Sequence, residues 1–286
     1  MNGIVLIDKP QGWTSHDVVA KLRGVYGQKR IGHSGTLDPM ATGLLAVFLG
    51  RATKAVEFSE AAEKEYIAHL RLGVETDTQD TTGTVLKTGG PVPDRADLEA
   101  VLPRFRGEIL QIPPMYSAIK VNGQKLYDIA RRGGEVERQP RRITIHSLDV
   151  IGEEAGDYVL RVRCSKGTYV RTLCHDIGAA LGCGGAMSAL RRTRVGAYDV
   201  RDAHTMEEMT SISREEAESL LLPLESIFSD YPVITLTGKN EAHCRNGRDF
   251  TISAADGTYR FHGADGQFLM LAALDHHQVR AIKRFF

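Results

Sequence analysis

The sequence predicts an α+β protein that carries a small β-rich unit at its C-terminal end. Over residues 1–230, short apolar or alternating runs typical of strands are interleaved with apolar residues at helical spacing. From Tyr231 onward, short alternating runs separated by glycines replace this mixture. We therefore expect a larger domain over residues 1–230 and a small β domain over residues 231–286.

Length and charge narrow the class of protein. The 286 residues are enough for one large domain, or for a large domain and a small one. Basic and acidic residues number 36 each, so any surface that attracts nucleic acid must be local. No stretch approaches the roughly 20 apolar residues that span a bilayer. The N-terminal apolar run is too short for a signal peptide.

The cysteines predict a reducing compartment. They form no CxxC pair and have no spacing typical of zinc ligands. Scattered cysteines in a chain of this length are typical of reduced, structural thiols, and we expect a cytoplasmic protein. The cysteines are Cys164, Cys174, Cys183 and Cys244.

The first predicted elements are a strand and a helix. Residues 3–7 form a short apolar run that predicts a buried strand. Thr14 or Ser15 can then cap a helix, because apolar residues recur at helical spacing after them. A further helix is predicted from about Thr53 to Ala62.

Between these two helices lies the segment Gly32–Gly43, around which we expect the chain to be organised. It combines three glycines, one imidazole and one carboxylate, and it leads into an apolar run over residues 44–49. Glycine tolerates positive φ, and Pro39 biases Asp38 toward extended backbone. The pattern therefore predicts that Asp38 lies on a rigid turn anchored to a buried strand.

Two simpler interpretations of this segment stay open from its residues alone. An Asp before a Pro most often forms a turn, with its carboxylate bonded to nearby backbone amides. A glycine-rich loop can also bind phosphate. Here, however, both the Lys-Ser/Thr ending of a Walker A loop and the GxGxxG pattern are missing, so phosphate binding is the weaker interpretation.

The next predicted elements are a strand, a polar loop and a helix. Residues 65–73 alternate as a half-buried strand, with Tyr66 on its apolar face. The acidic spacing of residues 76–83 misses the EF-hand pattern, and we interpret this loop as a turn. Asp94 can cap the helix that follows.

A basic stretch covers residues 113–142. It contains seven basic residues and three acidic ones, an excess that attracts phosphate. Tyr116 and Tyr127 lie among these cations, and aromatic rings among cations suit unpaired bases. On charge alone, a solvated surface of mixed charge is an equally good interpretation.

The remaining elements of the larger domain are two strands and two helices. Residues 143–150 and 158–165 predict paired strands, after which an amphipathic helix runs toward Leu181. The following stretch is acidic. In it, Ser213 and Glu216 form a capping-box pattern for a helix that we expect Pro223 to end.

Short strands dominate the predicted C-terminal unit. The pair His276-His277 is most simply part of a turn, and nothing in the sequence completes a set of metal ligands around it. The predicted strands are residues 233–237, 248–252, 257–262 and 268–274.

The organising segment also resembles a known motif. His33-x-Gly35-x-Leu37-Asp38-Pro39-x-Ala41-x-Gly43-Leu44-Leu45 is similar to the catalytic motif of the TruB family, bacterial pseudouridine synthases that modify uridine 55 in the T-loop of tRNA. The resemblance continues, in the family's order, from Ile4 to about Gly196. The other matching stretches are Lys9-Pro10-x-Gly12-x-Thr14-Ser15, Thr76-Asp77-Thr78-x-Asp80, Lys166-Gly167-x-Tyr169-x-Arg171 and Leu190 to Gly196.

The resemblance implies a fold and a function. The fold would be a pseudouridine synthase fold, a mixed and mostly antiparallel sheet flanked by helices. In position, the C-terminal unit is similar to the PUA-like RNA-binding domain of some family members. The function would be an isomerase that acts on tRNA without a cofactor or a metal, since the reaction contains no redox step. No membrane and no obligate protein partner are implied.

The catalytic roles follow from the resemblance residue by residue. Asp38 matches the nucleophile, which attacks either C6 of the base or C1′ of the sugar. Arg171 matches the arginine that pairs with it and keeps it ionised. Tyr66 matches the tyrosine that stacks on the target base and handles the proton at C5, although ordinary strand packing explains a tyrosine at this position equally well.

The same resemblance assigns residues that bind the substrate. His33 matches a histidine that stacks within the opened T-loop, and Tyr169 and Leu190 match residues that shape the uracil pocket. Lys9 completes the predicted substrate-binding set. Residues 113–142 match a thumb-like insertion that closes over the RNA, whose expected backbone contacts are Arg131, Arg132, Arg141 and Arg142.

Two other functions are compatible with these residues. A catalytically silent module that binds or folds tRNA would use Asp38 only as a turn residue. A phospho-aspartyl enzyme would use it as a phosphate acceptor, but no second acidic metal ligand lies two residues away.

Overall fold

The computed structural model describes residues 1–121 and 123–286 of the chain. Its strands belong to one large sheet, a four-stranded sheet near the C-terminal end and two small hairpins. In chain order they are β1 (Gly3–Lys9), β2 (Ile31–Ser34), β3 (Thr42–Leu49), β4 (Lys64–Leu72), β5 (Val74–Thr76), β6 (Val85–Thr88), β7 (Gly107–Gln111), β8 (Lys120–Val121), β9 (Gln124–Lys125), β10 (Arg141–Glu154), β11 (Asp157–Cys164), β12 (Gly185–Val195), β13 (Tyr198–Asp199), β14 (His204–Thr205), β15 (Val233–Thr235), β16 (Gly257–His262), β17 (Phe268–Asp275) and β18 (Gln278–Arg284).

The helices are short and lie between these strands. The α-helices are α1 (Ser15–Tyr26), α2 (Val56–Ala61), α3 (Arg95–Val101), α4 (Leu126–Ala130), α5 (Val170–Ala180), α6 (Met206–Ser211), α7 (Arg214–Ser219) and α8 (Gly238–Arg245). The 3₁₀ helices are Gly50–Ala55, Leu102–Phe105, Val200–Asp202 and Leu224–Phe228.

The large sheet is mixed and mostly antiparallel, as predicted. Its strand order is β14-β1-β3-β12-β4-β11-β10-β7, with β2 paired to β3 and β13 paired to β12. Two of its pairs are parallel, β1 with β14 and β3 with β12. The second of these is short, and it sets Arg192 beside Gly43.

Strand β3 lies in the middle of the core. Residues 43–49 of this strand are all buried. Their side chains contribute alternately to two apolar clusters, one shared with α1, α6 and α7 and the other with the C-terminal unit. A third cluster joins β4, β10 and β11 to α3 and α5. The strand after the predicted Asp38 turn is therefore packed on both faces, and it gives that turn a rigid support.

Several helix boundaries follow the local rules used for the predictions. Thr14 is the N-cap of α1 and forms a capping box with Asp17, and Gly27 ends the helix with φ of 59°. Asp94 is the N-cap of α3. The helix predicted from about Thr53 to Ala62 is a 3₁₀ turn that continues into α2.

The acidic segment differs from the prediction in two ways. Ser213 and Glu216 form the predicted capping box of α7, but this helix ends at Ser219 and not at Pro223. The chain becomes extended because Leu222 exchanges two backbone hydrogen bonds with Ile4, at 2.8 and 2.9 Å. Helix α6, which has its own capping box, was not predicted.

The C-terminal unit is β-rich, as predicted, but three of its elements differ from the prediction. Strands β15 to β18 form its sheet, and α8 and β18 were not predicted. Residues 248–252, predicted as a strand, form a loop with one bridge from Thr251 to Gln278. Helix α8 was missed because Cys244 is its only buried residue, so it lacks an apolar face.

The unit also packs against the large sheet. Phe268, Leu271 and Phe285 pack in the cluster that contains Phe228 and the apolar side chains of β1 and β3. The rings of Phe228 and Phe285 lie 5.7 Å apart, a distance typical of packed aromatic pairs. The small sheet therefore has a packed interface with the larger domain.

All four cysteines are buried and have free thiols, in agreement with the prediction. Burial raises the pKa of Cys174 to about 12, so this thiol is protonated and unreactive at neutral pH. In the part of the chain that the structure describes, no helix combines the length and the apolar character needed to cross a bilayer.

Candidate active site

The turn that carries Asp38 connects β2 to β3, which pair as an antiparallel hairpin. The start of α1 fixes this turn through backbone contacts. The amide of Leu37 donates to the hydroxyl of Ser15 at 2.9 Å, and the amide of Gly12 donates to the carbonyl of Pro39 at 2.8 Å. The side chain of Leu37 is buried. Asp38 therefore lies on the rigid turn that its glycines and proline predict.

Arg171 pairs with Asp38, as predicted. It is the second residue of α5, and its Nε lies 3.0 Å from Oδ2 of Asp38. The Asp38 side chain is 40% exposed, whereas that of Arg171 is only 7% exposed. Among the residues that the structure describes, no donor binds Oδ1 of Asp38. One carboxylate oxygen is therefore oriented by the guanidinium, and the other is open to a substrate.

The remaining nitrogens of Arg171 bind backbone carbonyls. Nη1 donates to the carbonyl of Thr78 at 3.1 Å, and Nη2 donates to that of Tyr116 at 2.8 Å. A buried guanidinium needs such partners because its hydration is lost. These contacts also bring the polar loop 76–83 and the basic stretch 113–142 to the Asp38 turn.

The polar loop contributes a second carboxylate that the sequence interpretation missed. It forms a turn as predicted, but Asp80 is buried within it, with Oδ2 3.7 Å from Nη1 of Arg171. Oδ1 of Asp80 accepts hydrogen bonds from the Thr78 hydroxyl and the Thr82 amide, at 2.9 and 3.0 Å. Arg171 therefore lies between two carboxylates, one held inside the protein and one partly exposed to solvent. The only signal in the sequence was the Thr76-Asp77-Thr78-x-Asp80 resemblance.

Tyr66 and Leu190 line the same side of the sheet next to this pair. Tyr66 lies on β4 directly opposite Arg192 of β12, and Leu190 lies opposite Ala68. Both side chains are partly buried and pack on the apolar cluster behind α5. Burial of its hydroxyl raises the pKa of Tyr66, and the Arg192 charge opposes this shift.

Arg192 supports the Asp38 turn through hydrogen bonds to residues before and after it. It is 1% exposed, and its Nε and Nη2 donate to the carbonyls of Leu44 and Gly35 at 2.7 and 3.0 Å. These two residues flank the turn on either side of Asp38. Burial lowers the pKa of Arg192, and Tyr66 beside it opposes this shift. Arginine nevertheless keeps its charge in proteins because its ordinary pKa is so high. No pattern in the sequence indicated this role.

His33 lies on β2, at the base of the turn. Its Nδ1 is buried and has no hydrogen-bond partner among the described residues. Burial lowers the pKa of His33, and the positive charge of Arg192 lowers it further. The imidazole is therefore neutral at pH 7, a flat polar ring available for stacking.

Tyr169 precedes the first residue of α5, and its backbone is fixed by Gln111. The Gln111 side chain accepts from the Tyr169 amide at 2.8 Å and donates to the Tyr169 carbonyl at 3.0 Å. Gln111 is 2% exposed, and its one amide group makes both of these hydrogen bonds. It thereby holds the start of the helix that carries Arg171. A buried glutamine at a strand end carries no sequence signal, and it was missed.

Lys9, predicted to bind substrate, makes its hydrogen bonds inside the protein. Lys9 is 0% exposed, and its ammonium donates to the carbonyls of Pro10 and Trp13, at 2.9 and 2.7 Å. Burial lowers the pKa of Lys9 to about 8, with partial opposition from Asp38. Its ammonium therefore joins the end of β1 to the residues before α1, next to the Asp38 turn.

The four predicted RNA-contacting arginines are exposed but belong to two different elements. Arg131 and Arg132 follow α4 in the basic stretch, and Arg131 lies over the Tyr127 ring at 5.4 Å. Arg141 and Arg142 begin β10 and pair with β7, so the insertion in the sheet ends before them. Arg142 also lies 3.2 Å from Glu108, which neutralises part of its charge.

Two other clusters of polar groups lie outside this cleft. A cavity of about 640 Å³ is lined by Trp13, Met206 and the Asp8–Arg191 ion pair, and apart from Lys9 no predicted site residue lines it. In the C-terminal unit, His276 meets Asp256 and Asp275, two carboxylates that the sequence interpretation had not brought to it. Both already accept hydrogen bonds from His276, so the cluster is explained as a turn network.

Adding a side chain at Gly43 tests the close backbone contact between this residue and Arg192. Gly43 has φ of 100°, and a Cβ there would overlap the Arg192 carbonyl oxygen. We expect Gly43→Ala to lower the free energy of unfolding by about 3 kcal/mol or more. Gly182→Ala is the control, since φ is 75° there and a Cβ meets no atom within 4 Å. Its expected loss is about 1–2 kcal/mol. Equal urea midpoints for the two variants would contradict the overlap.

Comparison with known proteins completes the description of the site. The family model described as "TruB family pseudouridylate synthase (N terminal domain)" matches residues 23–170. The model described as "tRNA pseudouridylate synthase B C-terminal domain" matches residues 171–229. Together they include each predicted catalytic residue.

Similar curated proteins carry one name. The tRNA pseudouridine synthase B of Francisella philomiragia is 41% identical over 289 aligned positions, which cover 100% of this chain and 95% of the relative. That of Syntrophotalea carbinolica is 46% identical over 237 residues, covering 82% of this chain and 78% of the relative.

Solved structures share the fold across nearly the whole chain. A crystal structure of a Cbf5-Nop10-Gar1 complex contains a chain with TM-score 0.74 and 27% identity, covering 99% of this chain and 85% of that one. An H/ACA RNP bound to a substrate RNA containing 2′-deoxyuridine contains one with TM-score 0.73 and 25% identity, at the same coverage.

Proposed function

The chain belongs to the TruB family and isomerises a uridine of tRNA to pseudouridine, and from this premise we propose that its target is uridine 55 of the T-loop and that Asp38 is the nucleophile. The observation that carries the proposal is the Asp38–Arg171 pair. One oxygen of the carboxylate is oriented by a buried guanidinium at 3.0 Å, and the carboxylate remains 40% exposed to the cleft.

The reaction explains why this pair is needed. The N-glycosidic bond breaks, the uracil turns, and C5 of the base forms a new bond to C1′ of the ribose. The proton on C5 then leaves, and no electrons are gained or lost overall. Asp38 attacks either C6 of the base or C1′ of the sugar, and both routes require an ionised carboxylate. Arg171 supplies the fixed positive charge that favours this form.

The walls of the cleft suit a single pyrimidine that has left its stack. Extruding a base costs about a few kcal/mol. The walls of this pocket would be Tyr66 and Leu190, which lie on the neighbouring strands β4 and β12, and Tyr169, which lies two residues before Arg171. His33 is neutral, and its buried Nδ1 has no hydrogen-bond partner in the described parts of the chain, so its ring can stack in the space that the base leaves. Each stacked base contributes about 1–3 kcal/mol, which offsets the cost of extrusion.

The basic insertion is proposed to bind the T-arm. The carbonyl of Tyr116 in this insertion accepts a hydrogen bond from Arg171, so a movement of the insertion over RNA would change the position of Arg171 relative to Asp38. Within it, Tyr127 lies between the cations of Lys125 and Arg131, at 5.2 and 5.4 Å. We propose a catalytic domain over residues 1–230, with residues 231–286 as a PUA-like domain, since the latter contain a sheet and an apolar cluster of their own.

The direct test uses an unmodified T-arm hairpin. We expect the protein to convert the uridine at position 55 and no other, as mapped along the RNA after incubation. A hairpin with cytidine at that position is the control and should gain no pseudouridine. Conversion at a different uridine would contradict the proposed target. Binding without any conversion would favour a module that only folds tRNA.

Neutralising the exposed arginines should change how tRNA binding depends on salt. Each lost phosphate contact lowers the slope of log K against log salt by about 0.7–0.9. The variant has Gln at residues 131, 132, 141 and 142. Because Arg142 is partly neutralised by Glu108, we expect its slope of log K against log salt to be less steep by about 2–3.

The control for this measurement changes equally exposed arginines elsewhere. Arg201 and Arg214 lie in the acidic segment, and each is already paired with a carboxylate. Their replacement by Gln should leave the salt slope unchanged. An unchanged slope in the fourfold variant would mean that these arginines do not touch phosphate.

A further inference from the structure

Arg192 is a buried cation without a buried anion. Its side chain is 1% exposed, and it forms no ion pair with any Asp or Glu among the described residues. Its two hydrogen bonds go to neutral carbonyls, of Leu44 and Gly35. Burying a charge without a counter-charge is costly. The cost is understandable if a negative charge forms beside it during the reaction.

The group that faces this guanidinium is Tyr66. The two residues are direct cross-strand partners of the antiparallel β4–β12 pair, where opposite Cβ atoms lie about 4.5–5.5 Å apart. Tyr66 itself faces Arg192, Cys164 of β11 and Asp38. The other charged groups within range of Arg192 are cations, or neutral at pH 7: His33, Lys9 and Lys64. Burial raises the pKa of Cys164 to about 11, so its thiol is neutral as well.

We propose that Arg192 is a positioning residue that stabilises the phenolate of Tyr66, the residue to which the family resemblance assigns the C5 proton. The inference rests on the proposed function, which places the uracil beside Tyr66. When the C5–C1′ bond has formed, C5 carries both the ribose and its original hydrogen. On the route through C1′, Asp38 has then left C1′, and C6 is doubly bonded to N1. The C5–H bond breaks and its electron pair forms the C5–C6 double bond, while the π pair of the C6–N1 bond moves to N1, which takes a proton from solvent. The proton from C5 forms an O–H bond with the phenolate oxygen. The phenol returns its proton to solvent before the next turnover.

The same guanidinium connects the base to the nucleophile. Gly35 and Leu44 flank the Asp38 turn, and their carbonyls accept the hydrogen bonds from Nη2 and Nε of Arg192. The Arg192 side chain therefore contacts the Asp38 turn and also faces Tyr66, and it helps to set the distance between the Asp38 carboxylate and the Tyr66 oxygen. A purely structural role would predict the same two carbonyl contacts, so the test must separate the two roles.

The experiment compares Arg192→Gln and Arg192→Lys, each in the natural protein and in Tyr66→Phe. Gln can still donate to a carbonyl but carries no charge, whereas Lys keeps the charge. The measurements are the single-turnover rate of pseudouridine formation on the T-arm hairpin, the deuterium isotope effect at C5, the Kd for the hairpin and the melting temperature.

We expect Arg192→Gln to lower the single-turnover rate by about 100-fold, a typical contribution of a general base. The isotope effect at C5 should increase, and Kd should stay within about threefold. Without the cation the phenolate is harder to form, so the alkaline rise of rate with pH should shift to higher pH. Arg192→Lys should keep this rise in place and recover most of the rate. In the Tyr66→Phe background, neither substitution should slow the reaction further.

Other outcomes would overturn the inference. An equal loss of rate in both backgrounds, with a lower melting temperature and an unchanged isotope effect, would assign Arg192 to turn support alone. If Arg192→Gln fails to fold, 3-fluorotyrosine at position 66 replaces it as the test. Its more acidic phenol should shift the alkaline rise to lower pH, and no shift would refute the phenolate. A natural rate in Tyr66→Phe alone would instead refute the role of Tyr66 in the proposed function.

Discussion

Asp38→Asn is expected to lower the single-turnover rate of pseudouridine formation by about 10⁴-fold or more, a loss typical of removing a nucleophile. The amide has nearly the shape of the carboxylate but cannot attack carbon as an anion. The turn should survive, because its contacts to Ser15 and Gly12 are made by the backbone of Leu37 and Pro39. Binding of tRNA should therefore stay within about threefold, as read by filter binding or fluorescence.

The matched control is Asp77→Asn. Asp77 is an exposed carboxylate of the loop that contacts Arg171, and its Oδ1 accepts from the Thr84 amide at 2.7 Å. Asn retains this acceptor, so the control should keep the natural rate. If Asp38→Asn also kept a substantial rate while binding tRNA normally, Asp38 would be only a turn residue. The chain's activity would then need another nucleophile.

The elements that the sequence predicted correctly are those that depend on neighbours in the chain. The capping box of Thr14 and Asp17 and the alternation in residues 65–73 involve side chains a few positions apart. Helix α8 shows the limit of this approach. Its sequence is polar, and it forms because Cys244 and the residues after it close over the small sheet.

The Asp38–Arg171 pair shows a second kind of prediction. No local pattern connects a turn after β2 with the first turn of α5, and the resemblance to a family supplied the link. At Lys9 the structure adds a second explanation, because its ammonium donates to two carbonyls inside the protein. A motif residue can be retained for support beneath a site as well as for contact within it.

The residues that sequence reasoning missed are buried polar groups: Asp80, Gln111 and Arg192. Each lies in a stretch that is ordinary by composition, and each becomes distinctive only when packing removes its water. The partners are then backbone carbonyls and amides, or the Asp80–Arg171 contact at 3.7 Å. Burial of this kind depends on how distant strands pair, which a single sequence does not contain.

Arg171→Met is expected to lower the single-turnover rate by about 10³-fold, comparable with losing a principal electrostatic contact in an active site. The neutral side chain fills similar space but leaves Asp38 without its cation and leaves Asp80 as a buried carboxylate facing an apolar group. The carbonyls of Thr78 and Tyr116 also lose their donors. We therefore expect a lower melting temperature together with the slower reaction.

Arg171→Lys separates charge from geometry. An ammonium is a point charge on a flexible stem, so it cannot contact Asp38 and both carbonyls as the planar guanidinium does. We expect this variant to recover the stability lost in Arg171→Met while its single-turnover rate remains about 100-fold below the natural rate. The hairpin Kd and circular dichroism spectra provide the controls for binding and folding. Near-natural kinetics in Arg171→Lys would show that a positive charge near Asp38 is sufficient. The orientation of the carboxylate would then have to come from the turn itself, through Ser15, Gly12 and the buried Arg192.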